Sequence, residues 1–249
     1  MPMSRGSAVV VRVRDVCWPF TFELCLLGLV YLLYRTGRLV TIEADRIAHA
    51  NARAVHAFER LLLLPDEAAI QGLVASSELL RAANVYYVAV HFPVTVAFLL
   101  WGFFFRPRVE YRWARNLIIS MTAVAVCLHI AFPLAPPRMF PQWGFVDTMS
   151  VYGPSAYDGA SGAVANQYAA MPSLHVGWAL LIALVVTRTA GGWIGRLAIL
   201  HAVVTLVVVT VTANHWYLDG VVAGALLWLA LLVFPLPGVA RVPWLQRAT

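Results

Sequence analysis

Long apolar runs broken by short polar stretches set the pattern of this chain. Runs near the length a helix needs to cross a bilayer, about 20 residues, lie at 17–34, 84–105, 116–134, 173–187, 194–212 and 216–234. The pattern predicts six membrane-crossing helices, the fourth being the shortest. Between 41 and 64 it changes. Ile42, Ile47, Val55, Phe58 and Leu62 alternate with Glu43, Asp45, Arg46, Arg53, Glu59 and Arg60 at roughly helical spacing, which predicts a helix lying in the membrane interface. A polar connector between the first two spans is the alternative. Residues 133–170 fit neither pattern, with five prolines, the aromatics Phe140, Trp143, Phe145, Tyr152, Tyr157 and Tyr168, and only Arg138, Asp147 and Asp158 as charges. A long irregular stretch of this kind is usually functional or disordered, and its aromatic content argues against disorder.

Composition agrees with the membrane reading. Of 249 residues 61% are hydrophobic and 12% charged, with mean hydropathy +0.76, whereas a soluble domain carries about 25% charged residues. The net charge of +6 comes from arginine alone, since the chain has no lysine. These arginines flank the spans, as topology and anionic headgroups require, and nucleic acid is not an expected partner. Arg5, Arg12 and Arg14 precede the first span, Arg106, Arg108, Arg112 and Arg115 follow the second, Arg188 and Arg196 follow the fourth, and Arg241 and Arg247 follow the sixth. The positive-inside rule then places both termini in the cytoplasm. Arg35 and Arg38 oppose this, but Glu43 and Asp45 follow them. Cys17, Cys25 and Cys127 show no CxxC spacing and read as small buried apolar residues. The first apolar run lacks a clear cleavage site and reads as a retained helix.

Two polar strings interrupt the apolar pattern where chemistry is expected. Pro172-Ser173-Leu174-His175 opens the fourth span and His215-Trp216-Tyr217-Leu218-Asp219 opens the sixth. The charge distribution puts both strings, with Arg138, on the extracytoplasmic face. His215 and Asp219 are four residues apart, a spacing that brings both side chains to one face of a helix. A carboxylate bonded to one ring nitrogen leaves the other bare and supports a positive charge on the ring, so His215 is equipped as nucleophile or base. An ordinary i,i+4 pair is the competing reading, although an ionisable pair at a membrane helix end is costly unless used. Pro172 and Ser173 are normal helix openers. His175 is not explained that way, and near the amides of a helix start it is placed to protonate a leaving oxygen from a bound anion such as phosphate.

Ala170-Met171-Pro172-Ser173-Leu174-His175 followed by Asn214-His215-Trp216-Tyr217-Leu218-Asp219 resembles the second and third signature motifs of the type 2 phosphatidic acid phosphatase superfamily. Pro-Ser-Leu-His, with Ala135-Pro136-Pro137-Arg138 and Gly144-Phe145-Val146-Asp147-Thr148 upstream, is most similar to the inositol phosphorylceramide synthase branch and its bacterial relatives. The similarity spans about residues 115–235 and none of the segment before residue 80. It implies metal-independent, two-step phosphoryl or phosphodiester transfer without a cofactor. In that scheme His215 attacks phosphorus, Asp219 orients it, and His175 serves as acid and then base. Arg138, Ser173 and Asn214 are the candidate phosphate-binding residues. The implied partners are a lipid phosphate or phospholipid and a lipid, alcohol or water acceptor. Two family cations are absent: the first-motif lysine, and an arginine where this chain has Val209. Asn214, Asn166 or Tyr168 are candidates to compensate, and a phosphodiester, with one charge fewer, is the better match.

The resulting expectation is an all-α, polytopic membrane protein, a six-transmembrane helix bundle with an interfacial N-terminal helix and an extracytoplasmic loop over the active site. It forms one domain, 1–249, in which 1–80 supply the first span and interfacial helix and 81–236 the catalytic bundle. Head-group transfer is favoured, with a lipid phosphate phosphatase, a metal-dependent membrane hydrolase and a proton-coupled transporter as alternatives. No HExxH or cysteine pair supports the metal reading. His91, His129 and His201 lie singly within spans and are expected to bond neighbouring helices, while His49 and His56 are expected to be solvated. Trp101, Trp113, Trp193, Trp216 and Trp244 fall near span ends and suit an aromatic belt.

Overall fold

The structure, a computed structural model, describes residues 20–29, 32, 44–157 and 166–237. Helices account for its regular structure: α1 (Phe20–Leu29), α2 (Asp45–Leu61), α3 (Glu67–Gly72), α4 (Ser77–Ala89), α5 (His91–Phe105), α6 (Arg108–Ala131), α7 (Thr148–Tyr152), α8 (Leu174–Thr189), α9 (Gly192–Val211) and α10 (Tyr217–Val233). Arg5, Arg12, Arg14, Cys17, Arg35, Arg38, Asp158, Arg241, Trp244 and Arg247, with both ends of the first expected span, lie outside the described residues.

α6 and α9 are long and apolar enough to cross a membrane unaided. α4 and α5 qualify as a pair, bent by 41° at Val90, where Pro93 supplies no N–H and its ring crowds the carbonyl four residues before it. α1, α8 and α10 are apolar but shorter. Leu117, Met121, Leu181, Ile182, Val185 and Leu227 form the core between α6, α8 and α10. Close approach is set by small residues: a Cβ on Gly195 would stand 3.3 Å from Thr187 Cα, so α8 and α9 meet backbone to backbone. Outward faces are apolar, with Phe104, Phe105, Trp193, Leu200, Val221 and Trp228 exposed, as lipid contact requires.

A second core caps one end of the bundle. Ala48, Ala52 and Val55 of α2 pack on Leu134, Ala135, Phe140, Phe145, Ala170, Ala213 and Trp216. The segment expected to lie in the membrane interface packs over the end of the bundle. Its strongly two-sided pattern serves that contact on one face, while Ile47, Phe58, Leu61 and Leu62 remain exposed on the other. His56 is half-buried and stacked 4.3 Å from the Trp143 ring, not solvated. Trp113 and Trp216 are buried and donate to the Phe234 and Ala135 carbonyls at 2.9 Å. Neither is a belt residue, whereas Trp193 is exposed. Cys25 and Cys127 are not buried but are free thiols on exposed helix faces. A polar residue can occupy a buried site where its donor is satisfied, and a thiol is apolar enough for an outward face in lipid.

Candidate active site

The site lies where α8 and α10 begin and α4 breaks. Ser173 caps α8, its Oγ accepting from Val176 N at 3.3 Å, and its own amide donates to Asp219 O at 3.1 Å. This tie holds the two motif helices together and brings the His175 and His215 rings to 5.9 Å. The Tyr87 ring stacks on the His175 ring at 4.1 Å. The α4–α5 break thus orients a residue more than eighty positions downstream.

His215 precedes α10 instead of lying within it. Asp219, in the first turn, reaches back so that Oδ2 accepts from Trp216 N at 2.8 Å and approaches His215 Nδ1 at 3.2 Å. The HxxxD spacing therefore works as a helix entry, not as an i,i+4 pair inside a helix. Asp219 satisfies an amide that the first turn leaves without a partner. Ala170 O lies 2.9 Å from the same Nδ1. A carbonyl can only accept, so Nδ1 carries the ring proton and Nε2 presents a bare lone pair. Nε2 is buried without a hydrogen-bond partner among the described residues. His215 sits in the connection between α9 and α10, where burial first and then the Arg138 charge hold its pKa down to about 4, so the ring is neutral near pH 7.

Arg138 is presented by a 3-10 turn, Pro137–Met139. Its backbone N–H is fixed on Ala213 O at 2.8 Å. Ala213 takes the left-handed conformation (φ 51°) that ends α9 and turns its carbonyl to the loop. Nε donates to Asn214 Oδ1 at 3.1 Å, Nη1 to Asp147 Oδ2 at 3.3 Å, and the Tyr157 ring lies 4.0 Å from the guanidinium carbon. Nη2 is buried and unpartnered. Asn214 is committed to holding Arg138, since its amide donates to Thr212 Oγ1 at 2.9 Å and Tyr157 OH also donates to its carbonyl oxygen. Tyr168 and Asn166 stand apart, Tyr168 OH donating to Asp45 and Asn166 accepting from the Tyr168 amide.

Several contributors carried no local sequence signal. Gln71 donates to Val146 O and Val211 O and accepts from Val146 N, pinning the loop that bears Asp147. Asn84 does the same at Thr148. Glu59 and Glu67 accept from the opening amides of α10. His129 and His201 bond neighbours as expected, at Pro172 O and Tyr86 OH. The His91 ring bonds none among the described residues and lies 4.7 Å from the His175 ring, tilted by 39°. No three His, Cys, Asp or Glu side chains converge as a metal site among the described residues.

A family model described as the PAP2 superfamily matches residues 53–233. The match extends the family likeness upstream of residue 80, through the end of α2 and all of α3, beyond the 115–235 stretch that carries the motifs. No curated protein and no solved structure matches the chain.

Proposed function

The chain belongs to the PAP2 superfamily and is thereby a phosphatase or phosphotransferase, and we propose that it moves a phosphate-bearing head group between lipid or alcohol acceptors through a phosphohistidine at His215. The observation that carries this reading is a pair of buried, unpartnered nitrogens, the bare Nε2 of His215 and the Nη2 of Arg138, a lone pair and a cation close enough for the one to depress the other's proton affinity.

In the first step His215 Nε2 bonds to phosphorus and the ester P–O bond breaks. His175 gives its proton to the departing oxygen. The Nδ1–H, held by Ala170 O and Asp219, lets the ring accept positive charge without moving. In the second step a hydroxyl attacks phosphorus, the P–N bond breaks and the hydroxyl proton passes to His175. In this scheme Arg138 Nη2 and the Ser173 hydroxyl bind the phosphoryl oxygens, and Asn214 orients Arg138.

Charge balance favours a phosphodiester. The chain has no lysine and has Val209 where the family likeness calls for arginine, and Asp147 already neutralises Arg138. A monoanionic diester suits such a site better than a dianionic monoester. We read α1, the α4–α5 pair, α6, α8, α9 and α10 as six crossings, with the site extracytoplasmic and both termini in the cytoplasm.

The test is product analysis by mass spectrometry. Purified protein and a His215→Ala control receive phosphatidate, prenyl phosphates and phosphatidylinositol with ceramide or diacylglycerol, in EDTA. A moved head group made only by the wild type supports the reading. Free phosphate as the sole product would replace transfer with hydrolysis, and turnover that needs restored metal would overturn the mechanism.

A further inference from the structure

Three consecutive amides open α10, and each meets a carboxyl group. Trp216 N donates to Asp219 Oδ2 at 2.8 Å, Tyr217 N to Glu67 Oε1 at 3.3 Å, and Leu218 N to Glu59 Oε1 at 2.8 Å. Asp219 belongs to the histidine motif. Glu67 and Glu59 come from α3 and α2, 150 and 159 residues away. Both are nearly sealed from solvent, at 2% and 1% exposure, and, because they accept from adjacent amides of one turn, their carboxyl groups are close enough for the charge of Glu67 to bear on Glu59. Two ionised carboxylates buried side by side repel with little water to screen them, so the pair favours keeping one proton. Glu59 Oε2 is buried without a hydrogen-bond partner among the described residues, which leaves it the atom free to carry that proton.

We propose that Glu59 and Glu67 are positioning residues of the histidine site: a carboxyl pair that shares one proton and carries one negative charge holds the first turn of α10 and so sets where Asp219 meets His215. The proposal rests on the reading of His215 as the group that bonds phosphorus. The partial positive charge of a helix start favours one negative charge there, and a second would face the first inside a buried contact. Asp219 Oδ2 serves both the Trp216 amide and the His215 ring, so any shift of the first turn is felt at Nδ1.

Other charged and titratable groups bear on the pair from each neighbouring element. Asp219 and Tyr217 face it from α10 and Asp66 from α3, while Arg60 of α2 pairs with Asp66 at 3.5 Å and His56 feels those two. Burial, with the Glu67 charge, raises the Glu59 carboxyl to about 9, and burial raises Glu67 as well. Below about pH 9 the pair keeps its proton. Above it both ionise, repel, and disturb the turn they hold.

The test compares kcat and KM against pH for wild type, Glu59→Gln and Glu59→Ala in detergent micelles, with His215→Ala as blank. It adds the infrared difference spectrum of wild type against Glu59→Gln at neutral pH. Wild-type kcat is expected to fall on the alkaline side near pH 9. Glu59→Gln offers an N–H to Glu67 and a carbonyl to Leu218 N but no proton to lose, so it restores neutral turnover relative to Ala and removes the alkaline limb. Glu59→Ala lowers kcat by about ten- to about a hundred-fold with KM little changed. The difference spectrum contains a protonated-carboxyl band. A Glu59→Gln profile that keeps the wild-type alkaline limb, a spectrum without that band, or wild-type kcat in Glu59→Ala overturns the proposal. If Glu59→Ala fails to fold, Glu59→Gln decides alone. Wild-type turnover no greater than the blank would instead sink the phosphotransfer reading, and the infrared band would still decide whether the proton is shared.

Discussion

Removing the Arg138 side chain tests the proposed phosphate contact most directly. Three of its contacts are internal, to Asn214, Asp147 and the Tyr157 ring, and only Nη2 is left for substrate. A hydrogen bond to a charged group contributes about 1.5–3 kcal/mol net, which converts to a loss of roughly 10- to 150-fold in kcat/KM for Arg138→Ala at about 1.4 kcal/mol per decade. Arg138→Lys keeps the charge but cannot hold Asn214 and Asp147 while meeting phosphate, so it falls between. A second readout has a fixed sign. The Arg138 charge depresses His215, whose pKa lies at about 4, so the acid limb of kcat/KM moves to higher pH in Arg138→Ala. Asp147→Asn leaves the guanidinium charge uncompensated and raises kcat/KM for a phosphomonoester relative to a phosphodiester. The assay is turnover of both esters in mixed micelles, with thermal melts to show that each variant is folded. A folded Arg138→Ala variant within about twofold of wild type, with its acid limb unmoved, would refute the assignment of Arg138 to phosphate.

Other substitutions probe the frame around the site. Gln71→Leu breaks three hydrogen bonds at a side chain of 4% exposure; about 2–4 kcal/mol of stability should be lost, at roughly 1 kcal/mol or slightly more per bond, and an unchanged melting temperature would mean that the Val146 loop is held some other way. Trp216→Phe keeps the ring in the cap but orphans Ala135 O, for a loss of about 1–3 kcal/mol by denaturant titration. Asp66→Ala removes the cap of α3, whose Oδ1 accepts from Ala68 N and Ala69 N. It should cost about 1 kcal/mol and lower turnover as well, because α3 carries Gln71 and Glu67; full activity would argue against that coupling.

Much of this site was legible because its chemistry is local in sequence. Pro172 to His175 and His215 to Asp219 each sit at a helix start, and a start is written in a few adjacent residues. The geometry inside the second string was less legible. Four-residue spacing suits a helical pair, but the helix begins two residues after His215, and Asp219 is needed to cap it. Residues that act at a distance left no pattern. Gln71, Asn84 and Glu59 are single polar side chains in ordinary surroundings, and their partners lie roughly 60 to 160 positions away. The amphipathic stretch of α2 was visible as a pattern, but a two-sided helix can meet lipid or a protein cap, and its small residues Ala48 and Ala52 point to the cap only once Phe140 and Trp216 are opposite them.

The docking of α2 and α3 beneath the start of α10 also constrains how the protein is made. Glu59 leaves the ribosome 159 residues before the amide it will accept from. At elongation rates of 5–20 residues per second that is a wait of roughly 8 to 32 s. Through that interval two glutamates destined for burial remain beside a half-inserted bundle. α10, made after the other described helices, thus completes α2 and α3 as much as it completes the site, and a chain stopped short of Tyr217 would strand both.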